Sequence, residues 1–131
     1  MTEQTRNPTS LRARHTDETR QALIAAARRL FAASGYHNVG IREFAAEAGV
    51  TRGALYHHFT GKDDLFVAVM ENIQEELRAN AAARHRDPAR PDRWTQLRND
   101  LQIALDEMMA PEIVQILLID APSVLGWQRW R

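Results

Sequence analysis

The chain has 131 residues, 44% of them hydrophobic and 26% charged, and no cysteine. That length suits one domain, or a small domain with part of a second. The lack of cysteine excludes disulfides and thiolate chemistry, no apolar run approaches the ~20 residues that span a bilayer, and the polar N-terminus carries no secretory signal. The expected compartment is therefore the cytoplasm, with no membrane partner. The formal net charge of zero hides an asymmetry: residues 1–62 hold nine basic against five acidic side chains, and the remainder eight against twelve. Only the front half is suited to meeting a polyanion.

Residues 1–15 lack periodicity and contain Pro8, Thr9 and Ser10, the composition of a flexible arm. Its Arg6, Arg12 and Arg14 leave two readings open, entry into a minor groove or a solvated tail. Thr16 and Asp17 offer an N-cap, followed by an apolar stripe at Leu23, Ala27, Leu30 and Phe31 and a stop at Gly35, a helix of about five turns. Ile41, Phe44, Ala45 and Ala48 then fall at i, i+3, i+4 and i+7, a second helix closed by Gly49. Thr51 caps a third, with Ala54, Leu55 and Phe59 facing inward. Thr60, with Asp63 three residues on, resembles a capping box for a fourth helix carrying Phe66, Val69, Met70, Ile73 and Leu77 to about Arg84.

Pro88 and Pro91 mark 85–93 as a linker. Trp94, Leu97, Leu101, Ala104, Leu105 and Met108 give another amphipathic helix, stopped by Pro111. A short apolar segment, 112–119, precedes a break at Asp120-Ala121-Pro122 and a final helix with Trp127 and Trp130. No segment shows a period of two, and Ala, Leu, Arg and Glu favour helix throughout, so the fold class is all-α. The expected division is a flexible arm (1–15), a helix-turn-helix unit (16–62) and a partial helical regulatory domain (63–131).

The second and third helices are joined by Gly49-Val50-Thr51. Gly49 tolerates a positive φ, Val50 packs into the angle, and the Thr51 hydroxyl accepts a free N–H of the next helix. This is a helix-turn-helix, whose second helix enters the major groove with its N-terminal residues against base edges. Thr51, Arg52, Gly53, Tyr56 and His57 face outward. Arg52 suits bidentate contact with guanine O6 and N7, and Gly53 lets the backbone approach the DNA. Tyr56, His57 and His58 can donate to phosphates, which fixes register without reading sequence. Lys62 at a helix N-terminus opposes the dipole, so it reads as a phosphate ligand, the alternative being a solvated lysine offset by Asp63 and Asp64. Arg42 reads equally as a phosphate or base-edge contact or as a surface partner of Glu43 or Glu47.

His57 and His58 are neighbours in sequence and do not share a helix face, so no metal site is expected. Ser10, Ser34 and Ser123 have no His and Asp partners at motif spacing, so neither an enzyme nor a cofactor is expected. Three readings follow: a sequence-specific DNA-binding regulator, a DNA-binding module or activator without small-molecule response, and a helical scaffold whose basic face binds an acidic protein.

Residues 40–59, followed by Lys62-Asp63-Asp64-Leu65 and preceded by Ala26-Ala27, Leu30-Phe31 and Gly35-Tyr36, closely resemble the TetR (tetracycline-repressor-like) transcriptional regulators. The resemblance covers Thr16 to about Phe66. Residues 117–127 resemble the sixth and seventh helices of a subgroup of that family. The resemblance implies a three-helix DNA-binding unit joined by a fourth helix to a ligand-binding and dimerisation domain. It implies base contacts at Thr51 and Arg52 and phosphate contacts at Tyr56, His57 and Lys62, to which the positions of Gly53 and Arg42 add a further base contact and a further phosphate contact. The implied whole is a homodimeric repressor on double-stranded operator DNA, released by a small apolar ligand. Gly40 departs from the family's usual Thr or Ser cap, so any phosphate contact there must come from the backbone. Met70, Ile73, Leu101, Leu105, Met108, Ile116, Leu117 and Trp127 are the candidate ligand-pocket residues, with plain core as the alternative. The family continues into two long helices that build the dimer interface. The sequence therefore reads as truncated before them, and this chain alone is expected to dimerise poorly.

Overall fold

Proline is tolerated at the first turn of a helix, where its missing N–H would have no partner and its fixed φ is already helical. In the computed structural model, which describes residues 8–84 and 92–130, Pro8 opens α1 (Pro8–Ser34), a helix of 27 residues. Residues 8–15, expected as part of a flexible arm, are thus helical. Leu11-Arg12-Ala13-Arg14 are strong helix formers, and Thr16 and Asp17 lie inside the helix instead of capping it. Arg6 lies outside the described residues.

Leu23, Ala27 and Phe31 on α1 are fully buried, and the helix ends at Gly35, whose φ of 80° is left-handed. A 3₁₀ turn, Tyr36–Asn38, leads to α2 (Ile41–Ala48). Gly49 (φ 69°) closes α2, and Val50 N–H donates to the Ala45 carbonyl at 2.9 Å. This reversal sets α3 (Arg52–His58) across α2. The fourth helix, α4, spans Lys62–Arg84. Its start departs from the expected capping box. Asp64 accepts the Thr60 N–H at 3.0 Å, while Asp63 is taken by the Tyr36 hydroxyl at 2.7 Å.

Around Phe31 the core is aromatic. Its ring lies 5.0 Å from Phe44, 5.1 Å from Phe66 and 5.6 Å from Tyr36. Phe31, Phe44, Phe59 and Phe66 are all excluded from solvent, so α1, α2, α3 and α4 share one core. Burying each ring is worth about 1.5–3 kcal/mol, and aromatic pairing adds to it.

Of the expected linker at 85–93, only Asp92 and Arg93 fall among the described residues, and they begin α5 (Arg93–Met108). Asp92 accepts the Thr95 and Trp94 N–H groups, and these bonds, Thr95 first, hold its carboxyl below the usual range. The Arg84 guanidinium, 2.9 Å from Glu107, ties α5 to the end of α4. The apolar stripe of α5 is not buried: Trp94, Leu97, Leu101, Leu105 and Met108 are all exposed. The stripe has the right period, but no described element packs over it.

After α5 the chain is one continuous helical rod, α6 (Pro111–Ile113), a π-helical stretch (Val114–Asp120) and α7 (Ala121–Leu125), followed by α8 (Trp127–Trp130). The break expected at Asp120-Ala121-Pro122 does not occur. Pro122 has no N–H to give the Leu117 carbonyl five residues back, and the Trp130 indole N–H donates to that oxygen instead, at 2.9 Å. Arg28 of α1 pins this rod to the bundle. It bonds Glu112 of α6, Glu76 of α4, and Asn72 Oδ1 at 3.0 Å. Burial opposes its charge, but the bonds to Glu76 and Glu112 outweigh that and raise its pKa. Among the described residues there is no strand, and no single helix is long and apolar enough to cross a membrane.

Candidate nucleic-acid interface

Thr51 sits at the N-cap of α3 with extended backbone, and its Oγ1 accepts the Ala54 N–H at 3.1 Å. Leu55 and Phe59 anchor the helix in the core at 0% and 2% exposure. With those two residues inward, Thr51, Arg52, Gly53, Tyr56 and His57 are all exposed on one short helix, the arrangement expected from the sequence. His58 differs. It is half-buried, and burial first, then the nearby charges of His57 and Arg20, lower its pKa.

Gly53 has no internal reason to be glycine. Its φ is not positive, and a Cβ placed there meets only Thr51 Oγ1, at 3.9 Å. A glycine inside a helix costs about 0.5–1 kcal/mol relative to alanine. Nothing among the described residues crowds this position, so the backbone of α3 is open to approach at Gly53.

Arg42 is exposed at the start of α2. The two acids considered as its surface partners are engaged elsewhere: Glu43 accepts the Gly40 N–H at 2.9 Å, and Glu47 pairs with Arg29 at 3.3 Å. The capping bond at Gly40 is therefore made by the Glu43 side chain reaching back. Lys62 is half-buried, its Nζ 4.2 Å from the centre of the Tyr36 ring. Burial lowers its pKa, partly offset by Asp63, Glu43 and Asp120. In the free chain the Lys62 ammonium is thus held over the Tyr36 ring.

The eight candidate pocket residues differ in burial. Met70, Ile73 and Ile116 are packed in the core, Leu117 is half-buried, and Leu101, Leu105, Met108 and Trp127 are exposed. The reason is the bare face of α5, which leaves its residues without an opposing wall. Two recesses among the described residues are lined by other side chains, one beside Arg28, Asn72, Glu76 and Glu112, the other by Arg93, Trp94, Leu97 and Asp100.

Sequence reasoning missed the contact between the 3₁₀ turn and the C-terminal rod. Asp120 is 6% exposed and accepts the Tyr36 N–H at 2.9 Å. The Tyr36 hydroxyl is pushed up to about 12, by burial first and then by Asp63. A lone acid amid 113–121, an otherwise apolar run but for Gln115, was the available signal.

Comparison with known proteins bears on the family of the chain. The family described as "Bacterial regulatory proteins, tetR family" matches residues 23–69, and "Tetracyclin repressor-like, C-terminal domain" matches 94–131. The HTH-type transcriptional regulator SrpR of Pseudomonas putida is 43% identical over 65 residues, 50% of this chain and 30% of that protein. The HTH-type transcriptional repressor Rv1474c of Mycobacterium tuberculosis is 35% identical over 96 residues, 69% of this chain and 51% of that protein. A TetR-family regulator from Pectobacterium atrosepticum superposes with a TM-score of 0.72 at 38% identity, over 86% of this chain and 57% of the other. The chain thus spans between 30% and 51% of the length of these curated relatives.

Proposed function

The chain belongs to the TetR family of transcriptional regulators, which carry a DNA-binding helix-turn-helix and are not enzymes, and we propose that it acts in the cytoplasm as a ligand-released repressor that binds operator DNA as a homodimer. The observation that carries the DNA reading is the outward face of α3, where five polar or glycine residues are exposed above a fully buried Leu55. Thr51, Arg52 and Gly53 take the base edges. Arg42, Tyr56, His57 and Lys62 take phosphates. Two copies bind because such motifs read half-sites about one helical turn apart.

Repression is supported by the likeness to the M. tuberculosis protein, a transcriptional repressor. Release by a small apolar ligand is supported by the match of 94–131 to a repressor-like C-terminal domain and by the apolar side chains concentrated there. The test begins with duplexes selected from random sequence on the wild-type chain, followed by footprinting. Arg52→Ala with Tyr56→Ala should abolish sequence-specific protection while the helical content stays. Unchanged protection would remove the DNA reading and favour an acidic protein partner. A ligand screen that shifts neither the Tm nor the footprint would favour the constitutive binder.

A further inference from the structure

A buried carboxylate is costly unless hydrogen bonds satisfy it. Asp120 is the one buried charged residue among those described, and its Oδ2 accepts both the Tyr36 N–H at 2.9 Å and Gln115 Nε2–H at 3.2 Å. The approach is close. A Cβ on Gly35 would lie 3.4 Å from Gln115 Nε2 and 3.9 Å from Asp120 Oδ2, and the φ of 80° at Gly35 is itself one that glycine favours.

Tyr36 in turn touches both α1 and α4, the two long helices behind the reading helix. Its ring stacks on Phe31 of α1 and meets Phe66 of α4 edge-on at 5.1 Å. Its hydroxyl donates to Asp63, and Lys62 lies over its face. One carboxylate of the C-terminal rod is therefore bonded to the residue that seats the start of α4.

The rod is unusual at this point. Asp120 ends seven residues of π-helix, where such turns are mostly single and are frequent at functional sites. The same stretch is bonded to α8 through Trp130 and the Leu117 carbonyl.

We propose that Asp120 is a positioning residue through which the rod Pro111–Leu125 sets the placement of the DNA-reading unit, with Tyr36 as the receiving group. The inference rests on the DNA-binding reading above. A buried acid that merely satisfies its neighbours would stabilise the chain without passing anything on. Coupling, in contrast, is reciprocal: if the rod biases the reading unit, DNA held by the reading unit must perturb the rod.

The tryptophans make this measurable, since all three, Trp94, Trp127 and Trp130, lie outside the reading unit. In a Trp94→Phe background, emission comes from the Trp127–Trp130 pair, whose rings are 5.1 Å apart. Titrating the parent with a duplex selected on it should shift that emission on binding. Asp120→Asn keeps the shape of the side chain, and Asp120→Ala removes it. Both should bind at least about fivefold more weakly, the low end of ordinary coupling, and show no emission shift at saturating duplex. Far-UV circular dichroism checks that both are folded. The proposal is overturned by a parent whose emission does not move on binding, by both variants keeping the shift, or by complete loss of binding in the folded Asn variant. The last would mean that Asp120 builds the reading unit instead of positioning it. Failure of the parent to bind any duplex in a gel shift would remove the DNA reading itself, and this inference with it.

Discussion

α4 and α5 carry apolar stripes of the same period, yet Phe66, Val69 and Ile73 of α4 are fully buried while Trp94 of α5 is 74% exposed. The difference is not in the helices but in what stands opposite them. α4 faces Phe31 and Tyr36 across the bundle, whereas α5 is held at one end through Arg84 and Glu107. Periodicity says which residues share a face, and only a partner decides whether that face is a core.

The contrast can be broken at its strong end first. Phe66→Ala removes a fully buried ring that closes the aromatic cluster, and should cost about 3–5 kcal/mol in denaturant unfolding. A loss below 1 kcal/mol would mean that the cluster is not the core it looks to be. Arg52→Ala probes a side chain that is exposed for a different reason from those of α5. Unfolding should be unaffected, while discrimination between the selected duplex and one with the contacted base changed should fall by about 1–3 kcal/mol in competition binding. Thr51→Ala removes the cap of α3 and should lower stability by about 1 kcal/mol, read as a lower Tm. Leu101→Gln, on the bare face of α5, should stay within about 0.5 kcal/mol of the parent. A large loss there would show that α5 is covered in solution.

Much of the reading unit was legible because its signals are local. Gly49, the Thr51 cap and the spacing of Leu55 and Phe59 lie within a dozen residues of one another, and each acts on its own stretch of backbone. What was not legible depends on distant partners. Asp63 reads as a capping acid until the Tyr36 hydroxyl, 27 residues earlier, claims it and Asp64 takes the capping bond. Pro122 reads as a break until a widened helix and the Trp130 indole make room for it. Pro8 reads as loop composition because the same residue that disrupts a helix interior also starts one well. The pocket residues were placed by resemblance on helices whose opposing wall is not among the described elements, so the burial expected of them did not follow.

The uncrowded setting of Gly53 has a consequence for how this chain should change under selection. A library screened for heat tolerance alone should accumulate alanine at position 53, since the helix gains about 0.5–1 kcal/mol and nothing inside the chain objects. The same library screened for operator occupancy should keep glycine there. Position 53 would then record which of the two pressures a lineage has been under, without any structure being solved.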